Sequence, residues 1–197
     1  VYALFGNLGV FAFTLIGDEV WSKRLEPRKI RYGWGTAASP ALHAGKLFIV
    51  NDNEKRSELL GLDTKNGKQL WRADRDEKSN WATPFIWESG PRAELVTPGS
   101  RAVRSYDLDG KLLWSFQGMS SIAIPTPCAG EGLLFVSSGY VGDKLRPLYA
   151  IRPGARGDIS LGVFSAFVAY SGNIIWPMRQ LGRLVGDLTK AGVSINR

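Results

Sequence analysis

Short runs of alternating apolar and polar residues, broken by turns rich in glycine and proline, fill most of the first 155 positions. Stretches of period two put successive side chains on opposite faces and predict half-buried β-strands. Leu47-Phe48-Ile49-Val50, Glu58 to Asp63 and Lys68 to Arg72 are three such strands, the last two joined by the turn Thr64-Lys65-Asn66-Gly67. A strand opening at Ser39-Pro40 makes a fourth, because proline is tolerated where a strand begins and its missing N–H costs no ladder bond there. The next unit is more compact: Thr83 to Glu88, Ala93 to Thr97, the turn Pro98-Gly99-Ser100, Arg101 to Asp107, Leu108-Asp109-Gly110 and Lys111 to Phe116.

These units are copies of one pattern. Ser39-Pro40-Ala41-Leu42, Thr83-Pro84-Phe85-Ile86 and Thr126-Pro127-Cys128-Ala129 recur at intervals of 44 and 43 residues. A second set keeps phase with the first: Gly17-Asp18-Glu19-Val20-Trp21, Gly67-Lys68-Gln69-Leu70-Trp71 and Gly110-Lys111-Leu112-Leu113-Trp114. Four antiparallel strands in about 40 to 45 residues is the size of a propeller blade. Solenoid repeats are mostly helical or shorter, and sandwiches lack repetition at the level of motifs. The expected fold is therefore all-β, a β-propeller of four-stranded antiparallel blades forming a partial ring of about three and a half. The expected divisions are a partial blade 1–35, blades 36–80, 81–120 and 121–160, and an irregular C-terminal segment 161–197.

Gly61-Leu62-Asp63-Thr64-Lys65-Asn66-Gly67-Lys68-Gln69-Leu70-Trp71 resembles the tryptophan-docking motif of pyrroloquinoline-quinone-type repeats, Ala-x-Asp-x-x-Thr-Gly-Lys-x-x-Trp, with Gly61 for Ala and Asn66 for Thr. Tyr106 to Trp114 is similar with a turn one residue shorter, and Phe13 to Trp21 follows that shorter form with Thr14 in place of Asp. A degenerate fourth unit stands at Leu148-Tyr149-Ala150-Ile151-Arg152-Pro153-Gly154. The resemblance implies that Trp21, Trp71 and Trp114 pack between neighbouring blades. It also implies that Asp63 and Asp107, with Gly17, Gly67 and Gly110, fix the outer hairpins. A buried Trp removes on the order of 200 Å² from water and needs one acceptor for its indole N–H, which suits a joint between sheets.

That family holds two classes, quinoprotein dehydrogenases with a quinone and a calcium ion at the ring centre, and non-catalytic propellers that bind proteins. The resemblance implies that the enzymes need a vicinal Cys-Cys disulfide, and Cys128 is the chain's single cysteine. Asp63, Asp107 and Asp109 lie in repeat hairpins and read as turn residues, so neither a cofactor nor calcium is expected. The expected role is a protein-binding or scaffold module of the bacterial envelope or periplasm, completed by further blades of the same propeller. The alternative is a fragment of a quinone-dependent alcohol or sugar dehydrogenase whose catalytic blades lie elsewhere.

Composition narrows these readings only a little. With 44% hydrophobic and 22% charged residues among 197, the chain is globular, and 23 Gly with 10 Pro favour short strands and many turns. One cysteine excludes an intrachain disulfide and any multi-cysteine zinc site. His43 is the only histidine, which excludes the two-His zinc helix motif, and its place beside Ala44-Gly45 reads as a turn flank.

The formal charge of +7 concentrates at Lys23, Arg24, Arg28, Lys29 and Arg31, in a segment with Pro27 that reads as a solvated loop. No aromatic stacking series accompanies it, so no nucleic-acid partner is expected. Arg156-Gly157-Asp158 spells an adhesion tripeptide, read as a chance match beside the Pro153-Gly154 turn, and the longer loop Gly139 to Pro147 reads as an extended hairpin connection. No signal peptide is visible at Val1, and the chain reads as a fragment. Residues 159–178 carry no charge, yet Ser171-Gly172-Asn173 and Pro177 interrupt them. A hairpin of Phe164 to Tyr170 and Asn173 to Trp176 is expected there, with no transmembrane span. Leu181, Leu184, Val185 and Leu188 have the spacing of an amphipathic helix.

Overall fold

The alternating runs form four sheets in chain order. The computed structural model describes residues 1–88, 92–140 and 142–158. The expected C-terminal hairpin and helix lie outside them. The first sheet is β1 (Tyr2–Phe5), β2 (Gly9–Phe13) and β3 (Glu19–Lys23). The second is β4 (Ala41–His43), β5 (Lys46–Asn51), β6 (Ser57–Asp63) and β7 (Gln69–Arg75). The third holds β8 (Phe85–Trp87), β9 (Glu94–Thr97), β10 (Ala102–Tyr106) and β11 (Leu112–Gln117). The fourth is β12 (Cys128–Gly130), β13 (Leu133–Ser137) and β14 (Leu148–Ile151).

Each of these strands pairs antiparallel with its sequence neighbour within its sheet, as a propeller blade requires. The expected strand bounds hold to about two residues, except that β7 runs on to Arg75. A fifth strand joins the third sheet: β15 (Gly157–Asp158) pairs parallel with β11, Trp114 opposite Gly157. The adhesion-like tripeptide thus has its last two residues in a short strand on the outer edge of a blade, where the Ser115 hydroxyl donates to Asp158 Oδ1 at 2.8 Å.

The run Leu47 to Val50 is uniformly apolar because both faces of β5 are covered. Leu47 and Ile49 pack with Val10, Ala12, Trp21, Leu60 and Leu62, joining the first blade to the second. Phe48 and Val50 point the other way and pack with Leu59, Leu95 and Tyr106, joining the second blade to the third. Period two therefore sorts one strand's side chains between two inter-blade cores. Among the described residues no helix is long and apolar enough to cross a membrane.

Candidate interaction face and blade joints

Every four-stranded antiparallel blade places its loops at two ends, and the two ends differ here in chemistry. At one end lie the hairpins of the repeat motif. Asp63 Oδ1 accepts from Lys65 N at 2.7 Å, while Gly67 N donates to Asp63 O at 2.9 Å. Asp107 Oδ1 accepts from both Asp109 N and Lys111 N at 2.9 Å. Thr14, standing where Asp is usual, accepts from Asp18 N through its hydroxyl at 3.0 Å. Three different sequences thus close similar turns by satisfying backbone donors with a side-chain oxygen.

The tryptophans reach across from one blade to the next. The Trp21 indole donates to Thr64 O at 2.9 Å, and Trp71 donates to Leu108 O at 3.0 Å, the equivalent position one blade later. Each ring rests on a glycine of the receiving turn. A Cβ on Gly67 would come 2.6 Å from the Trp21 ring, and one on Gly110 would come 2.6 Å from Trp71. Both glycines also have positive φ, +69° and +86°, so turn and socket demand the same residue. Lys46 adds an ammonium to the second joint, donating to Leu108 O at 3.2 Å and pairing with Asp109 at 2.6 Å. Gly17 has the same positive φ in an open turn, with nothing against it and with Leu15 and Ile16 exposed beside it.

Trp114 behaves differently. It is fully buried, and its indole donates at 2.7 Å to Glu94 Oε2 within its own blade. The fourth unit also departs from the motif, with Arg152 at the aspartate position, a side chain that cannot accept backbone N–H bonds. The third and fourth blades are joined instead by Phe116 edge-on to Tyr149, ring centroids 4.8 Å apart, and by the Tyr149 hydroxyl donating to Gly118 O at 2.7 Å.

At the opposite end the loops after β5, β7 and β9 build a polar clamp that has no counterpart in the repeat. Arg75 grips Asp52 with two bonds, Nε to Oδ1 at 2.8 Å and Nη2 to Oδ2 at 2.9 Å, and both side chains are fully buried. Arg75 also donates to Thr97 Oγ1 and Tyr106 Oη on the next blade. Burial alone would depress the Arg75 pKa, but the charge of Asp52, its hydrogen bonds and the weaker pull of Tyr106 and Glu77 together outweigh it and keep the guanidinium protonated. Burial raises the Asp52 pKa more than Arg75 lowers it. The two-pronged geometry is that of an ionised pair. Glu77 accepts from Ser100 Oγ, Arg101 N, Ala102 N and Arg104, binding the second blade's exit loop to the third blade.

On the same face the connections after β3, β7, β11 and β13 converge on an aromatic cluster. Trp34 stands at its centre, with ring centroids 4.9 Å from Tyr32, 5.5 Å from Trp81 and 5.5 Å from Tyr140. Trp81 is buried and anchors the cluster by donating to Gly35 O at 2.9 Å. Tyr32 is 69% exposed and Trp34 50%. Tyr32 also has φ +58°, a left-handed conformation that costs a non-glycine residue on the order of 1–3 kcal/mol. Neither burial nor backbone comfort explains that aromatic residue. Asp143 secures the neighbouring loop, accepting from Ser121 Oγ at 2.7 Å and Tyr140 N at 2.9 Å.

The solvated-loop reading of the basic segment is corrected by two residues. Arg28 is only 7% exposed, and Arg31 is half-buried, donating to Ser121 O and pairing with Glu54 at 3.5 Å. Desolvation opposes ionisation of Glu54, but hydrogen bonds from Ser79 and the Arg31 charge hold its pKa below the ordinary value. Arg31 is kept partly out of water by cross-linking loops from different blades. His43 is half-buried, 3.9 Å from Glu88, and Cys128 is exposed as a free thiol. Among the described residues no three His, Cys, Asp or Glu side chains gather as a metal-ligand set.

A family model described as outer membrane protein assembly factor BamB matches residues 9–143. No curated protein matches the chain significantly. BamB from Moraxella catarrhalis superposes with a TM-score of 0.55 at 16% identity, over 76% of this chain and 45% of that one. The chain therefore spans less than half the length of that relative, and the likeness is one of fold. A europium-containing methanol dehydrogenase aligns at a TM-score of 0.44 and 17% identity, over 60% of this chain and 23% of that one. A quinohemoprotein alcohol dehydrogenase from Comamonas testosteroni aligns at 0.46 and 19%, over 60% and 19%.

Proposed function

The chain belongs to the family described as outer membrane protein assembly factor BamB, and on that premise we propose that it is part of a non-catalytic β-propeller that binds proteins as a scaffold in the bacterial envelope. The observation that carries this reading is the aromatic cluster of Tyr32, Trp34 and Tyr140, held open to solvent over a buried Trp81. Exposed aromatic residues on a rigid base are the side chains that dominate protein interfaces, because they offer large contact area at little entropic cost. The role needs neither quinone nor calcium. The blade-docking residues Trp21, Trp71, Asp63, Asp107, Gly67 and Gly110 serve it by holding the loops in place, and Gly17 supplies the positive φ of the first turn.

The test places a photo-crosslinking amino acid at position 32 of the complete protein in its native envelope. One discrete adduct, lost when Trp34 is changed to Ala, is expected. No discrete adduct, together with quinone-dependent alcohol oxidation by the purified complete protein, would overturn the reading in favour of a dehydrogenase.

A further inference from the structure

The rings of the aromatic cluster carry no charge, so the charged groups at their border decide which partner they take. Two carboxylates stand there, and both are spent on the protein's own donors. Glu54 accepts from Ser79 N and Oγ and pairs with Arg31, while its backbone N–H donates to Lys29 O. Asp143 accepts from Ser121 Oγ and Tyr140 N. The bases are less engaged. Lys29 lies three residues before Tyr32 and Lys144 four after Tyr140; both are exposed, and among the described residues neither ammonium has a carboxylate partner. Lys78 and Arg146 add positive charge beside Glu54 and Asp143. The border that faces solvent is therefore basic.

The same loop carries this character further. Pro27, five residues before Tyr32, lines a groove of about 640 Å³ with Glu26, Lys55, Arg56, Glu58 and Arg72. Three cations there face two carboxylates, of which Glu58 is taken up by Asn51 at 2.7 Å and Arg72 at 2.9 Å. Five residues of chain reach at most about 18 Å, so one extended segment of about six residues spans from the rings to the groove. We propose that the aromatic cluster and its basic border form one docking site for an extended acidic segment of a partner protein, with an apolar side chain of that segment anchored on the rings. The anchor supplies buried contact area, and the complementary charge speeds encounter and rejects basic partners. This inference rests on the protein-binding reading of the cluster and adds the chemistry of what binds.

The probe is a short fluorescent peptide with Trp at its centre and Asp and Glu around it, titrated into the complete protein and followed by anisotropy, against a control peptide with Lys at every acidic position. Only the acidic peptide is expected to bind. Its affinity is expected to fall at least about tenfold in the double variant Lys29→Glu, Lys144→Glu, and to fall in the parent at about 1 M salt, where the screening length is about 3 Å. Tyr32→Ala is expected to weaken it at either salt. The double variant Lys65→Glu, Lys68→Glu changes the net charge equally at the opposite end and is expected to bind as the parent does. All four lysines are exposed, and thermal melts matching the parent's show that both double variants fold. Acidic and basic peptides bound alike, equal losses in the two double variants, or a single-stranded oligonucleotide or phosphatidylglycerol vesicles bound as tightly as the acidic peptide, overturn the proposal. A discrete adduct at position 32 that maps to a neutral or basic segment of its partner also overturns it, and leaves the protein-binding reading standing.

Discussion

Trp71 lies against Gly110 of the next blade and donates its indole N–H to Leu108 O, so one side chain supplies both the packing and the polar contact of a joint. Trp71→Ala removes the ring and leaves a cavity, and its expected cost is about 3–5 kcal/mol. Trp71→Phe is expected to cost less, since most of the apolar area survives and only the indole bond goes. Urea denaturation of the complete ring reads both, and a Trp71→Ala midpoint equal to the parent's refutes the joint. The partner of Trp71, 37 residues away, is legible in the sequence only through the phase of the repeat. Arg28 was not legible at all. A charged residue beside proline reads as solvated, and its burial depends on loops from elsewhere in the chain.

At the scale of elements, the strands were legible because period two survives wherever one face differs from the other, and β5 was legible as an apolar run covered on both faces. The clamp of Asp52, Arg75 and Glu77 left no such trace. Its members sit at or beyond strand ends of the second blade, at spacings that no local geometry dictates, and their further partners Thr97, Tyr106 and Arg104 come from the next blade. Breaking it is expected to be expensive: Asp52→Asn leaves Arg75 buried with half its partner, at a cost of about 3–5 kcal/mol in thermal or urea unfolding. The double variant Asp52→Leu, Arg75→Met is expected to cost less than Asp52→Asn, because no charge is left stranded. The reverse order would show that the pair contributes through something other than charge.

The loop 139–147 offers a pH-dependent counterpart. The hydrogen bond from Ser121, helped by Tyr140 N, lowers the Asp143 pKa below its ordinary value of about 3.9. A carboxylate depressed in the folded state stabilises it above the unfolded pKa, and that stability fades as pH falls through the folded pKa. The tether is therefore expected to be complete at neutral pH and to release only in strong acid. A ¹³C carboxyl titration of Asp143 checks this. Ser121→Ala should raise the midpoint towards 3.9, and an unchanged midpoint would remove Ser121 as the cause.

For the whole molecule the decisive surface is the outer side of the first blade, where Leu15, Ile16 and Val20 are exposed at 94%, 87% and 57%. Apolar residues beside an open turn and an open strand edge are what a further blade would cover. Residues 1–197 in isolation are expected to aggregate or to unfold without a sharp transition, whereas the complete ring melts cooperatively. Calorimetry of the two side by side decides this, and a sharply melting monomer of these residues alone would contradict it.

The two well-formed joints have a direction. The second blade inserts a ring into its successor and receives one from its predecessor, so that single unit carries both plug and socket. A gene segment encoding one unit can then be duplicated in tandem without inventing any new contact surface, because the copy already fits its parent on either side. What limits the count is the wedge angle at which head-to-tail contacts close on themselves. Ring size becomes a property of the angle between blades, and lengthening such a protein in evolution is an arithmetic step.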